Sequence, residues 1–549
     1  HFGSRLVSGW AQVGLTCACI HSKVNHASTT FIIALIHNLR EMRGSEIDYA
    51  STEPRSSTDE EDDFKSRRRC MMILLYAVCF VDGADVQLLP ASFRALEASL
   101  GFAPTDLGGL ALAQAMTMAI SAPFWGALCD GGVPAKWLLT AGVTAWGFLT
   151  IVLSTVYGYW GMLVLRAFIG VALGSLLPIT QAVIAGFVGP LERGEFFGRA
   201  GAAQCAGQVV SQLITTSMSN QKYEILPGEA IWGWRIAFFG VGAVSLVLSF
   251  VLASYMEEVP RRATENTKSM DSIADFFGHM FERGAVYMNK WTFRIIVFQG
   301  LFGSIPWSAM NFNVMYLQYV GFSDYLAATL AVFFLAAQGF GNILGGYVGD
   351  ILENWMKYHG RPLTAQITVF SGIPLVAITF LLLPKSNHYF WLYGSLLFLM
   401  GLMASWALAG VKRPMLSQII NRRDWASILA LDSALEGASA AMFGAPVVGW
   451  LAQYVFGYQE MTGQVSEMAQ EARMQNLAAL GTAIVWMCVV PWMICFFLWG
   501  LLHWTYPQDA KAIEEAEGGE GPVAPQSEAN PGLEDLPLLA KDDGCLSTV

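Results

Sequence analysis

Gly126-Ala-Leu-Cys-Asp130 and Gly346-Tyr-Val-Gly-Asp350 share the pattern G-x-x-x-D and lie 220 residues apart. Each closes an apolar stretch and opens a polar loop. Each loop then carries basic residues, Lys136 in the first and Lys357 and Arg361 in the second. One such pentapeptide is weak evidence. Two at matching places in a strongly apolar chain point to two homologous halves embedded in a bilayer. That constrains the fold severely, because in lipid every backbone N–H and C=O needs an internal partner.

Twelve stretches approach the roughly 20 apolar residues that a membrane helix needs. They begin near Met71, Leu107, Lys136, Gly158, Gly198, Trp232, Arg294, Tyr325, Pro362, Tyr389, Ala426 and Leu477. Charged residues are 14% of the chain and hydrophobic ones 54%, against about 25% charged in a soluble domain. A soluble fold is therefore excluded. The expected fold is all-α, with twelve transmembrane helices in two six-helix bundles. Residues 1–69 are expected to be a disordered cytosolic segment and 70–256 the first bundle. Residues 257–292 would form a cytosolic linker with an amphipathic helix between Met270 and Met288. Residues 293–505 would form the second bundle, and 506–549 a disordered acidic cytosolic tail. Glu534 to Leu539 in that tail fits an acidic dileucine sorting signal, and a chance match explains it equally well.

The net charge of −11 is unevenly spread. Much of the acid lies in Asp59 to Asp63 and Glu514 to Asp543. Short loops at one face are basic: Arg67 to Arg69, Arg193 with Arg199, and Arg422 with Arg423. The positive-inside rule places that face, and both termini, in the cytosol. No feature points to nucleic acid. The nine cysteines lie mostly in or beside apolar runs, so no structural disulfide is expected. The eight histidines show no metal-ligand spacing, and no cofactor is expected.

A charge at the bilayer centre costs roughly 2.5–3.5 kcal/mol on insertion scales, so intramembrane charges are functional candidates. Asp82 and Asp85 in the first span share a helix face, and two nearby carboxylates suit reversible protonation. Arg166 in the fourth span is followed by Gly170 and Gly174, which permit close helix packing. A buried arginine needs a carboxylate, and the first span supplies two. Either a substrate or proton role or a structural ion pair fits. Asp432 and Glu436 lie one turn apart in the eleventh span, with Lys412 and Arg413 as candidate partners for a gating or structural bridge. Polar candidates for a central site are Gln114, Gln181, Gln204 and Gln208 in the first half, and Gln299, Trp307, Asn311 and Asn313 in the seventh span. Helix–helix hydrogen bonding explains any single one as well. Gly126, Asp130 and Lys136, with Gly346, Asp350 and Arg361, are candidate gate residues.

These residues resemble the major facilitator superfamily. Gly126 to Lys136 is similar to its loop 2–3 signature, G-x-x-x-D-x-x-G-R-[KR]. Arg166 to Gly174 resembles its R-x-x-x-G-x-x-x-G, and Gly233-Trp-Arg-Ile-Ala-Phe238 its sixth-span opening. The resemblance covers about 70 to 505. Within it, the chain is similar to a plant and algal branch of the Spinster group. This likeness rests on Asp82 to Pro90, Pro104 to Gly108, Gln299 to Trp307 and Ala430 to Glu436. Three departures stand out. Val133-Pro134-Ala135 replaces Gly-Arg, Gly83 stands where Spinster-like proteins often carry Arg, and Leu173 stands near where animal members carry Glu.

The resemblance implies a secondary transporter working by alternating access, with Asp130 and Asp350 at cytosolic gates. The expected substrate is a small organic or amphipathic solute, lysolipid-like or anionic, with a proton carried by Asp82 or Asp85. A monomer is expected. A proton-independent uniporter and a transporter-like sensor remain alternatives. A membrane enzyme is not expected, since the apolar spans hold no nucleophile–base or metal constellation.

Overall fold

The computed structural model describes residues 57–130, 132–188, 193–226, 229–258, 278, 282–407, 411–420, 425–463, 465 and 468–519. Most of the 270–288 segment, Arg422, Arg423 and the Glu534 to Leu539 signal lie outside them.

In the first half, α1 (Ser57–Leu88) leads into a short outer helix, α2 (Phe93–Leu100). Then follow α3 (Pro104–Asp130), α4 (Ala135–Leu153), α5 (Tyr159–Leu173), α6 (Leu176–Phe187), α7 (Arg193–Ser219) and α8 (Gly233–Tyr255). The second half runs α9 (Trp291–Gly303), α10 (Ile305–Ala309), α11 (Asn313–Val320), α12 (Asp324–Trp355), α13 (Gly360–Ala377) and α14 (Phe390–Ala404). It ends with α15 (Arg413–Ile419), α16 (Trp425–Phe443), α17 (Ala445–Trp450) and α18 (Gln470–Gly519). One antiparallel hairpin interrupts the helices between α7 and α8, β1 (Lys222–Leu226) pairing with β2 (Glu229–Trp232) in the register Lys222 to Trp232.

Among the described residues, ten helical stretches are long and apolar enough to cross a membrane. They match ten of the twelve expected spans. The other two are helical but fall short for physical reasons. α7 is 27 residues long yet carries Arg, Glu, Gln and Ser along its length. α14 has only 15 residues, and the chain resumes through Lys412 into α15. Two expected boundaries also shift. α1 begins at Ser57, before residue 70, and α18 continues to Gly519, past 505. Tyr506 and Ala510 in that extension are buried, and Asp509 accepts a hydrogen bond from the Thr292 backbone N–H at 3.0 Å. Those contacts order a stretch whose composition alone reads as tail.

The sequence repeat reappears as repeated packing. α1 pairs with α7, α3 with α5 and α4 with α8; in the second half α9 pairs with α16, α12 with α14 and α13 with α18. Small residues permit these approaches. A Cβ at Gly170 would overlap the Gln114 carbonyl and one at Gly174 the Ser121 hydroxyl, so α5 lies directly on α3. Thr117 Oγ1 then donates across the seam to Ala167 O at 2.8 Å. Gly341 and Gly401 bring α12 and α14 together in the same way.

The α1–α7 seam explains one departure from the Spinster pattern. A Cβ at Gly83 would run into the Gln204 carbonyl, and one at Gly207 into the Phe80 carbonyl. Ser211 Oγ donates to Ala84 O at 2.7 Å beside them. An arginine at 83 has no room here. Gly83→Ala should cost about 1–3 kcal/mol through overpacking, read as a lower thermal unfolding midpoint of the purified protein. An unchanged midpoint would show that the two helices can part freely.

Candidate functional site

The first charge cluster lies where α1, α3 and α5 meet. Asp85 is 1% exposed, and its Oδ2 accepts from Gln114 Nε2 at 3.1 Å. Gln114 Oε1 accepts from Arg166 Nη1. The amide thus stands between acid and base, where a direct ion pair was expected. Arg166 is 1% exposed, with its guanidinium carbon 5.1 Å from the Phe238 ring centre. Among the described residues, its Nε and Nη2 have no hydrogen-bond partner, and neither has Asp85 Oδ1. A buried polar atom left unpaired costs about 1–3 kcal/mol, so this cluster is poised to gain from a further ligand or proton.

Asp82 belongs to a different set of bonds. Its Oδ2 accepts from Gln204 Nε2 of α7 at 2.7 Å. The two carboxylates share α1 but engage opposite neighbours, because a three-residue step leaves an angular offset that α3 and α7 each exploit.

The second cluster is in the other half. Lys412 meets Asp432 Oδ2 and, at 2.5 Å, Glu436 Oε1. Lys412 and Asp432 are buried, and Glu436 lies half-buried against Gly300 of α9. Arg413 does not join them; it is exposed at the start of α15.

A third cluster ties the bundles together at the face bearing the loop after α1. Arg94 and Glu97 of α2 are 2% and 0% exposed and pair at 3.1 Å. Arg94 also donates to the Met461 and Gly463 carbonyls at 3.4 and 2.6 Å. Glu97 accepts from the hydroxyls of Tyr319 at 2.9 Å and Tyr458 at 2.6 Å. Burial, reinforced by Glu97, pushes the Tyr458 hydroxyl well above the ordinary tyrosine range, which keeps it a donor. Around this core, Asn220 donates to Asp324 at 2.8 Å, Thr105 to Gln453 at 2.5 Å, and Gly108 and Gly449 let α3 lie against α17. Arg94 and Glu97 are not among the candidates drawn from the sequence. Their i,i+3 spacing amid apolar residues was the available signal.

The remaining candidates scatter. Gln299 is buried and donates to Cys495 Sγ at 3.8 Å, and Trp307 packs on Phe334 with ring centres 6.2 Å apart. Asn313 is buried and its Oδ1 has no partner among the described residues, while Asn311 and Gln208 are half-buried. Gln181 is exposed on α6. At the other face, Arg361 donates to Asp350 at 3.0 Å, tying the end of α12 to the start of α13 within one half. Lys136 lies over the Trp137 ring. The Asp130 side chain lies outside the described residues. Gly126 would meet only Pro178 and Gly346 nothing within 4 Å, so neither glycine is required by a close approach here.

Residues 75–411 match the sequence profile of the Major Facilitator Superfamily. The chain belongs to this superfamily. It is a multi-pass membrane transporter, and its fold is that of the superfamily. A cis,cis-muconate transport protein of Acinetobacter baylyi is 22% identical over 316 residues, covering 55% of this chain and 72% of that protein. A bacterial homologue of the human lysosomal transporter Spinster, solved in an inward-facing and unoccupied conformation, superposes with a TM-score of 0.67. It is 15% identical and covers 81% of this chain and 98% of its own. A D-xylose–proton symporter superposes with a TM-score of 0.56 at 13% identity, covering 77% and 96%. The superfamily build explains the paired packing of the two halves, since its repeats enclose a central site.

Proposed function

We propose that this superfamily member is a proton-coupled secondary transporter of a small organic or amphipathic solute carrying an anionic group, and that the structure is its inward-facing state. The buried Arg166, with two unpartnered guanidinium nitrogens, carries this reading. It is a charge that the fold holds at membrane depth without full compensation. The closure through Arg94, Glu97, Tyr319 and Tyr458 supports the assignment of state. Lys65, Arg68, Arg69 and Arg199 cluster at the opposite face, which the positive-inside rule makes cytosolic. The likeness to an inward-facing Spinster homologue and to a proton symporter agrees with it.

The mechanism follows from the hydrogen bonds. While Asp85 is ionised, it orients the Gln114 amide, whose oxygen occupies Arg166. A proton on Asp85 removes the charge that holds this arrangement, and Arg166 turns to the anionic group of the solute. Release to the cytosol and loss of the proton restore the amide bridge. Asp82, held by Gln204 on the α1–α7 seam, links the same region to a helix that also contacts α12 of the other half.

Asp82→Asn and Asp85→Asn test this directly. Proton-driven accumulation should be lost in at least one variant, while exchange of solute across the membrane persists. Transport with unaltered pH dependence in both would remove the proton from this cluster.

A further inference from the structure

The Lys412 cluster has no part in that cycle, and its charges do not balance. Two carboxylates, Asp432 and Glu436, face one ammonium. Asp432 is 1% exposed; among the described residues neither of its carboxylate oxygens has a hydrogen-bond partner, and Oδ2 meets Lys412 only as an ion pair. Among the described residues, neutral groups lie around the pair. From α9 come Gly300, Gln299 and Ser304, whose Oγ donates to the Glu436 main-chain oxygen at 3.0 Å. From α18 comes Cys495, which is held by Gln299. Among the described residues, Lys412 is the only cation within ion-pair distance of either acid. One negative charge therefore remains in excess. An unpaired buried charge costs several kcal/mol even after relaxation.

We propose that Asp432 and Glu436 form a second proton-binding site, in the C-terminal bundle, distinct from Asp82 and Asp85. It rests on the proton-coupled reading above and extends it to the other half. The step is simple in its balance. A hydronium ion gives its proton to Asp432: its O–H bond breaks, an O–H bond forms on Oδ1, the oxygen outside the Lys412 ion pair, and a water molecule is left, while Lys412 keeps its ammonium against Oδ2 and Glu436. The site goes from one net negative charge to none. Its position also gives the proton mechanical leverage. α16 packs on α9 within its own bundle and on α3 across the interface, and Ser439 Oγ donates to Leu301 O at 2.7 Å. A charge change at Asp432 thus acts where the two bundles slide. The first half is built differently, since Asp85 engages Gln114 beside Arg166 while Asp82 is held apart by Gln204.

The probe is the proton itself. Infrared difference spectra of the full-length protein in liposomes, stepped between acid and alkaline buffer in water and deuterium oxide, report the C=O stretch of protonated carboxyls. Two titrating populations are expected. Asp432→Asn or Glu436→Gln should remove or shift one of them, and the double substitution D82N/D85N the other. Lys412→Met should roughly double the second-half signal, because two facing acids without a cation both take protons. Using both conservative variants and the lysine variant keeps the answer independent of one misfolded protein. A spectrum identical in wild type, D432N, E436Q and K412M would overturn the site. Loss of all protonated-carboxyl signal in D82N/D85N would also overturn it while leaving proton coupling intact. Both populations present with transport that ignores a proton gradient would overturn the coupling and leave this site standing.

Discussion

Replacing Arg94 with methionine is expected to weaken closure of the loop 1–2 face by about 3 kcal/mol, the lower end for breaking a buried ion pair. Arg94 holds two carbonyls of the other bundle and neutralises Glu97, which is 0% exposed. The tyrosine hydroxyls and the Met461 N–H would still reach Glu97, which is why the loss is not larger. Three kcal/mol corresponds to on the order of a hundredfold more of the form open at that face. Thr105→Cys, placed against Gln453 in the same seam, reports it. Its reaction with a membrane-impermeant thiol reagent should rise sharply in the R94M background. The double variant R94M/E97L should recover most of the closure, since well-packed apolar groups replace a buried pair at little cost. If the double variant labels as fast as R94M alone, the charge is not what latches the bundles.

Arg166→Gln is expected to lower transport on the order of a hundredfold or more, the loss of a buried charged contact to the solute. Lysine should restore little. Its ammonium is a single point of charge and cannot hold Gln114 and an anionic group through separate, fixed N–H donors. Arg166 also packs over Phe238, so part of the stability is expected to fall as well. Thermal unfolding separates the two effects, because Arg166→Lys keeps the charge and much of the bulk. Wild-type transport in R166Q would remove Arg166 from the solute pathway.

The membrane halves were legible because two features repeat at long range: apolar length, and a motif recurring 220 residues on. Composition registers such patterns well. The α7 span was read as one of the twelve apolar stretches, and its polar residues proved to be those that hold Asp82 and α1. Buried charges were also legible, since lipid makes them costly wherever they occur. Their partners were not. Spacing along one helix says nothing of which neighbour supplies Gln114 or Gln204. It therefore predicted a direct pair of Arg166 with a first-span carboxylate, where an amide intervenes. Arg413 and Lys412 are adjacent in sequence, yet only Lys412 is buried against the acids. The Arg94–Glu97 latch was hidden for the opposite reason. Its charges fall in a connecting segment, where exposure is the default expectation, and burial comes only from the other bundle closing over them.

Proton-coupled alternating access is tested most directly by uptake. Proteoliposomes holding the full-length protein would be given a mixed metabolite and lysolipid extract, with and without an inward proton gradient, and their contents read by mass spectrometry. One solute class with an anionic group should accumulate above its external level only when the gradient is present, and Asp85→Asn should abolish that accumulation. Equilibration to the same level with or without the gradient would contradict proton coupling and leave a uniporter, with Asp82 and Asp85 as structural partners of their neighbouring helices.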